Sequence, residues 1–238
     1  DELFDPKTPE RAHLGLHAYV AEPANARDLD LFDVIKTEIA GVVPIDPETN
    51  IVYKMDLVGR RRDNGRYFVL EHKSKKNSFS RTWTDQWIQS VQVGNYLHAL
   101  NMLICDETGI GNSEGVIVNG AAFLKTKFDF ERVPVRKTND MMQEHLWMVR
   151  DHIDRMNMDV DNLMNDCSEG DVIMRAFAKN PQSCTKYYGC GFSAFCDAWA
   201  NPLQRCYEAP PGYKVEFWDP LAVEQASERI DLALREYV

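Results

Sequence analysis

The stretch IVYKMDLVGRRRDNGRYFVLEHK, residues 51–73, decides the fold. Its ends, Ile51–Val58 and Tyr67–Lys73, are rich in β-branched and aromatic residues and carry strand propensity. Between them lies GRRRDNGR, whose Asn64-Gly65 pair is the strongest short-range hairpin signal a sequence can contain. If these two residues form a two-residue turn, Asp63 pairs with Arg66, Asp56 lies opposite Lys73, and Val58 lies opposite Glu71. Side chains alternate along a strand, so Asp56, Val69, Glu71 and Lys73 share one face, with Phe68 and Leu70 on the other. Asp56 and Glu71 become diagonal neighbours, their β-carbons roughly 7–8 Å apart. A four-residue loop keeps this register, whereas a three-residue loop turns one strand over.

Two carboxylates and an ammonium on one sheet face need something to organise them. A hard divalent cation, Mg²⁺ or Mn²⁺, gripped by Asp56 and Glu71 is one solution, with Lys73 free to orient a water or offset charge on a phosphate. A cross-strand Asp56–Lys73 ion pair on a solvated face is the other, and such pairs stabilise little. Spacing alone leaves both open.

Outward from the hairpin, residues 10–22 read as a short helix with Pro9 in its first turn. Val34–Val43 has strand-like content, and Pro44–Asn50 is turn chemistry. Residues 84–102 have apolar residues at helical spacing, with Thr84 as the expected N-cap. Beyond the loop 106–115, Val116–Leu124 and Phe128–Val135 read as strands, Asn139 to about Met158 as a long helix, and 219–236 as a final helix. The expectation is one α/β domain, a central mixed sheet flanked by helices. Residues 1–160 would be the core, and 161–238 a Cys-rich, helical C-terminal appendage packed on it.

The chain of 238 residues carries a formal net charge of −10, which taken whole argues against a polyanionic partner. The distribution says otherwise. Residues 51–100 hold nine basic residues, among them Arg60, Arg61, Arg62, Lys75, Lys76 and Arg81, against four acidic ones. These six are the candidate nucleic-acid contacts, with a solvated charged rim as the alternative. No apolar stretch is long enough for a membrane-spanning helix, and a cytoplasmic, reducing location is expected.

Asp56, followed after 14 residues by Glu71-His72-Lys73, resembles the D…(D/E)-x-K core of the PD-(D/E)xK nuclease superfamily, with Met55 in place of the proline of the name, a departure that many members share. Gln92-Val93-Gly94-Asn95-Tyr96 resembles the QxxxY motif of the RecB-like branch. His17 and Glu38 stand upstream in the order that this branch shows. The resemblance implies a restriction-endonuclease-like core and a divalent-metal-dependent deoxyribonuclease acting on single strands or duplex ends. It would serve in recombination, repair or phage and defence DNA processing, alongside partner proteins of such systems. In that frame His17, Asp56, Glu71 and the His72 carbonyl would ligate Mg²⁺ or Mn²⁺. Glu38 would support a ligand or a second metal, and Lys73 would be catalytic. Gln92 and Tyr96 would position that lysine and the DNA strand. His13 competes with His17, and Gln89 with Gln92.

Cys184-x5-Cys190-x5-Cys196 resembles the C-terminal three-cysteine segment of RecB-like nucleases that carry a [4Fe–4S] cluster; in that pattern the fourth ligand precedes the core, and here it would be a residue ahead of Asp1, Cys206 or Cys167. Zinc, or free thiols packed among Tyr187, Tyr188, Phe192 and Phe195, are the alternatives. Two further functional classes stay open: a catalytically silent nuclease fold serving as a DNA-binding or assembly module, and an iron–sulfur or other metal-binding protein built on these cysteines.

Overall fold

The computed structural model describes residues 8–105, 113–185, 189–205, 209 and 211–217. The expected final helix, 219–236, and Cys206 lie outside them. The Thr8 hydroxyl accepts the Arg11 amide and Pro9 fills the first turn of helix α1 (Pro9–Ala21), which is followed by single turns α2 (Pro23–Ala26) and α3 (Asp28–Leu31). Five strands follow in the order β1 (Phe32–Pro44), β2 (Asn50–Arg61), β3 (Tyr67–Lys75), β4 (Ser113–Phe123) and β5 (Phe128–Val135). They form one sheet in chain order, antiparallel except for the parallel pair β3–β4. The fold is α/β, a five-stranded mixed sheet with flanking helices.

The hairpin has a four-residue loop, 62–65, not the expected two-residue turn. Val58 pairs with Val69 and Leu57 with Leu70, so this four-residue loop does not keep the expected register but displaces it by two residues. The cause is local. Asn64 Oδ1 accepts the Arg66 amide at 2.9 Å, removing the donor that a two-residue turn would use to close the ladder. The Arg61 amide bonds the Arg66 carbonyl instead, and Gly65 takes a φ of +71° beyond the turn. A displacement of two preserves the faces but changes who opposes whom.

The single helix expected over 84–102 is two. Ser80 caps α4 (Arg81–Asp85) by accepting the Trp83 amide, and Ser90 caps α5 (Val91–Ile104) by accepting the Val93 amide, whereas Thr84 bonds back to the Arg81 carbonyl. Helix α5 lays Val93, Leu97 and Leu100 on Met55, Val58, Val69, Val116 and Val118 to make the main core. Each such fully buried side chain contributes about 1.5–3 kcal/mol. Phe32, Phe68 and Leu70 form a smaller cluster on the other face, as strand alternation demands.

Helix α6 (Asn139–Asn165) outruns its expected end at Met158. At its start His145, only 2% exposed, lies against Gly94 of α5, where a β-carbon would sit 2.3 Å from the ring. Asn95 Oδ1 bonds His145 Nε2 at 2.9 Å. Burial, reinforced by Lys137 and His98, pushes the His145 pKa down to about 4.

The chain divides into two compact units at Leu146/Trp147, within α6 and ahead of the expected boundary at residue 160. The second unit holds the rest of α6, helix α7 (Ser193–Ala198) and irregular chain organised by fully buried Asn201, whose amide donates to the Ser168 and Asp171 carbonyls. Among the described residues no helix is long and apolar enough to cross a membrane.

Two outcomes follow from the Gly94–His145 contact. Gly94→Ala should destabilise the protein by about 1–3 kcal/mol in urea unfolding, because the methyl group meets the ring. The folded state holds His145 neutral while the unfolded state protonates it near pH 6.5, so stability falls as pH drops from 6.5 towards 4. His145→Gln should flatten that slope in denaturation midpoints measured across the window.

Candidate active site

The β2–β3 ladder stops at Leu57–Leu70. Continuing the register by one residue brings Asp56 opposite Glu71, not opposite Lys73. The strands part there: the His72 amide donates to Asp56 Oδ2 at 2.7 Å instead of to a β2 carbonyl. In an extended strand the N–H and C=O of one residue leave on the same side, so the His72 carbonyl also faces the parted edge. Met55 and Val58 both enter the main core although three residues apart, so alternation on β2 breaks at Asp56–Leu57. Glu38, between the paired residues Thr37 and Ile39 and so opposite Asp56, has a φ of +50°, a left-handed conformation uncommon for a non-glycine residue. Three irregularities thus meet at one point of the sheet.

Glu71 is 3% exposed. Its Oε1 accepts Lys73 Nζ at 2.6 Å and Gln92 Nε2 at 3.2 Å. Gln92 Nε2 also donates to the Tyr96 hydroxyl at 2.8 Å. The other oxygen, Oε2, is buried and has no hydrogen-bond partner among the described residues. Burial raises the Glu71 pKa. Lys73 opposes the shift and the neighbouring Asp56 carboxylate adds to it. Burial, then the charge of Glu71, pushes Tyr96 up to about 12, which keeps its phenol protonated at neutral pH.

Asp56, Glu71, Lys73, Gln92 and Tyr96 are therefore brought together. One role differs from expectation: Gln92, itself held by Tyr96, holds the Glu71 carboxylate, while Lys73 is held by Glu71. Glu38 is opposite Asp56, yet its carboxylate turns to Lys54 at 3.5 Å and is largely exposed. His17 is not brought in. Its Nε2 lies 3.1 Å from His13 Nε2 one helical turn away. Among the described residues no three His, Cys, Asp or Glu side chains gather into a metal-holding cluster, so His17, Asp56 and Glu71 do not close the expected set. Cys184, Cys190 and Cys196 are likewise ungathered. They are free and exposed, not packed as small hydrophobes.

On the opposite face, a partly buried polar network centred on buried Asn119 supports the same spot. Arg132 forms a paired salt bridge with Asp28 and donates to Asn119 Oδ1 at 3.4 Å. Arginine only donates, which fixes the Asn119 amide with its nitrogen towards Tyr19 Oη (2.6 Å) and His72 Nδ1 (3.1 Å). His72 Nδ1 is thereby an acceptor. Partial desolvation outweighs the charge of Asp56 and holds the imidazole below its ordinary pKa. Tyr19, Asp28, Asn119 and Arg132 were absent from the expected site. The one signal for them was a lone Asn in the apolar run Val116–Phe123.

The basic segment separates into two parts. Near the hairpin tip Arg60 and Arg62 pair with Asp33, Arg61 with Asp63, and Arg66 with Glu114, so those charges are offset within the protein. Beyond Lys73, the Lys75 ammonium lies among aromatic rings, Lys76 is exposed, and the Arg81 side chain is 93% exposed beside Asp85.

No family model matches the sequence, and no curated protein matches it. Among solved structures, the crystal structure of SSO0001 is similar at a TM-score of 0.34 and 16% sequence identity. The similarity covers 60% of this chain and spans 57% of that one.

Proposed function

We propose that the protein is a divalent-metal-dependent nuclease that hydrolyses phosphodiester bonds in DNA. The observation that carries this is the buried carboxylate of Glu71, with Oε2 unpartnered beside Asp56 where the sheet parts. A buried carboxylate oxygen without a donor is expensive, and a cation is the partner that suits it. The donors present are all oxygens, two carboxylates with the His72 carbonyl on the same edge, which fits Mg²⁺ or Mn²⁺ in preference to softer metals.

When bound there, such a cation polarises a phosphate oxygen and offsets charge that grows during hydrolysis. The chain's own groups set the geometry. Glu71 fixes the Lys73 ammonium at 2.6 Å, where it can donate to the attacking water or to the phosphate as its charge rises. Gln92 spends both amide hydrogens, one on Glu71 and one on Tyr96, and so locks the carboxylate rotamer. The His72 amide does the same for Asp56. Free exposed thiols at Cys184, Cys190 and Cys196 suit a reducing cytoplasm.

Labelled linear DNA incubated with Mn²⁺ should be degraded by the wild type. Lys73→Ala and Asp56→Ala should each lower the rate by about 10²-fold or more. Equal rates in all three proteins would reject the proposal.

A second test reads metal binding without activity. Mn²⁺ should raise the melting temperature of the wild type and leave that of Glu71→Gln unchanged. The pH dependence has a defined sign. Because the folded state raises the Glu71 pKa, the metal-free protein gains stability as pH falls through the folded value towards the unfolded one. It loses that stability as pH rises. Glu71→Gln should abolish this component, and the cation should suppress it by holding the ionised form.

A further inference from the structure

Beside the carboxylate pair runs a strip that the reaction itself does not require. Phe79, Trp83 and Trp87 form a continuous chain of ring contacts, with centroids 4.5 Å apart for the first pair and 5.5 Å for the second. All three are only partly buried. The strip lies against the sheet because Gly120 has no side chain: a β-carbon there would stand 2.5 Å from Trp83 and 2.6 Å from Phe79. Gly120 pairs with Lys73 across β3–β4, so the aromatic strip begins next to the catalytic lysine.

Two lysines line it. Lys75 Nζ is 5.4 Å from the Phe79 centroid and 5.5 Å from that of Trp83, and it forms no ion pair among the described residues. Lys73 Nζ is 6.0 Å from the Trp87 centroid while it bonds Glu71. Ammonium groups at this distance interact with the π-system of a ring. Trp87 adds an indole N–H that is buried without an acceptor, a donor still unused next to Lys73. Partly exposed rings interleaved with cations match a ligand that alternates flat bases with phosphates. An acidic peptide would use the cations and leave the ring surfaces without a flat partner.

We infer that Phe79, Trp83 and Trp87, with Lys75, form a stacking platform for the unpaired bases of a single nucleic-acid strand leading into the carboxylate site. This deepens the proposed nuclease function and rests on it, by assigning the side chains that would receive the bases of the strand beside the carboxylate site. Bases paired in a duplex have their faces occupied by their neighbours, so a duplex end must open before it can seat here. The strip tolerates any sequence, because every base has a π-face.

The test is binding of a fluorescently labelled oligothymidylate, followed by anisotropy in EDTA so that cleavage does not interfere. An abasic oligomer of equal length is the comparison. The wild type should bind the thymidylate about tenfold or more tighter than the abasic strand. Trp83→Leu, which keeps an apolar side chain over Gly120, should erase that preference, and Lys75→Ala should weaken both ligands alike. Equal wild-type affinity for the two oligomers, or no binding of either, overturns the proposal. So does a base preference that survives in Trp83→Leu, or heparin displacing both oligomers equally well. Should Trp83→Leu fail to fold by circular dichroism, the wild-type comparison and Phe79→Leu decide. An oligouridylate should bind through the same rings, and its failure to do so would restrict the platform to DNA. Base preference without Mn²⁺-dependent cleavage leaves the platform and removes the nuclease. Cleavage without base preference does the reverse.

Discussion

Everything around the candidate site follows from burying one carboxylate. Glu71 sits near the middle of a five-stranded sheet, under a helix, where an isolated charge is poorly tolerated. The chain answers with a lysine two residues on, which the pleat puts on the same face, and with a glutamine from α5 aimed at the same oxygen. Tyr96, one helical turn beyond Gln92, then occupies that glutamine's remaining hydrogen. Lys73 and Gln92 satisfy one half of the carboxylate and leave the other half unanswered. The imbalance is consistent with a site built for a charged visitor.

The second support comes through the sheet from behind. The His72 backbone belongs to the site, holding Asp56, while its ring belongs to the network of Asn119, Tyr19, Arg132 and Asp28. A residue in a strand presents its side chain to one layer and its peptide edge to a neighbouring strand, so His72 ties the two together. Disturbance of the half-buried Arg132–Asp28 pair would reach Asp56 by way of one imidazole. Such pairs are hard to remove singly, since the partner is left charged in a poorly solvated place.

Much of this is legible in the sequence. The strands on either side of Asn64, the shared face of Glu71 and Lys73, and the helical position of Gln92 and Tyr96 all follow from periodicity, which is a local property; Asp56 sits where that periodicity breaks. What escaped were competitions between local alternatives. Asn64 could close a two-residue turn or bond the Arg66 amide, and it does the latter. Ser80 and Ser90 outcompete Thr84 as caps because each stands one residue before a turn it can close. His17 had His13 within reach on its own helix, and short-range contact prevailed. The Asn119 network was hidden for another reason: its members are distant in sequence, and nothing in a single strand announces where a polar side chain will find its partner.

The parallel pairing of β3 with β4 carries a consequence for the order of assembly. Antiparallel β2 and β3 can meet through a short loop, but the strand bearing Glu71 and Lys73 gains its other neighbour only after the chain has crossed from Lys75 to Ser113 by way of α4 and α5. That crossover also delivers Gln92, Tyr96 and the tryptophans. Contacts closed over so long a stretch form late, because the entropy of the loop is lost before they return anything. The carboxylates therefore meet early in a hairpin, and the groups that make them useful arrive last. During synthesis the chain would pass through a stage at which the acidic pair and its lysine exist while the glutamine clamp and aromatic strip are not yet in place.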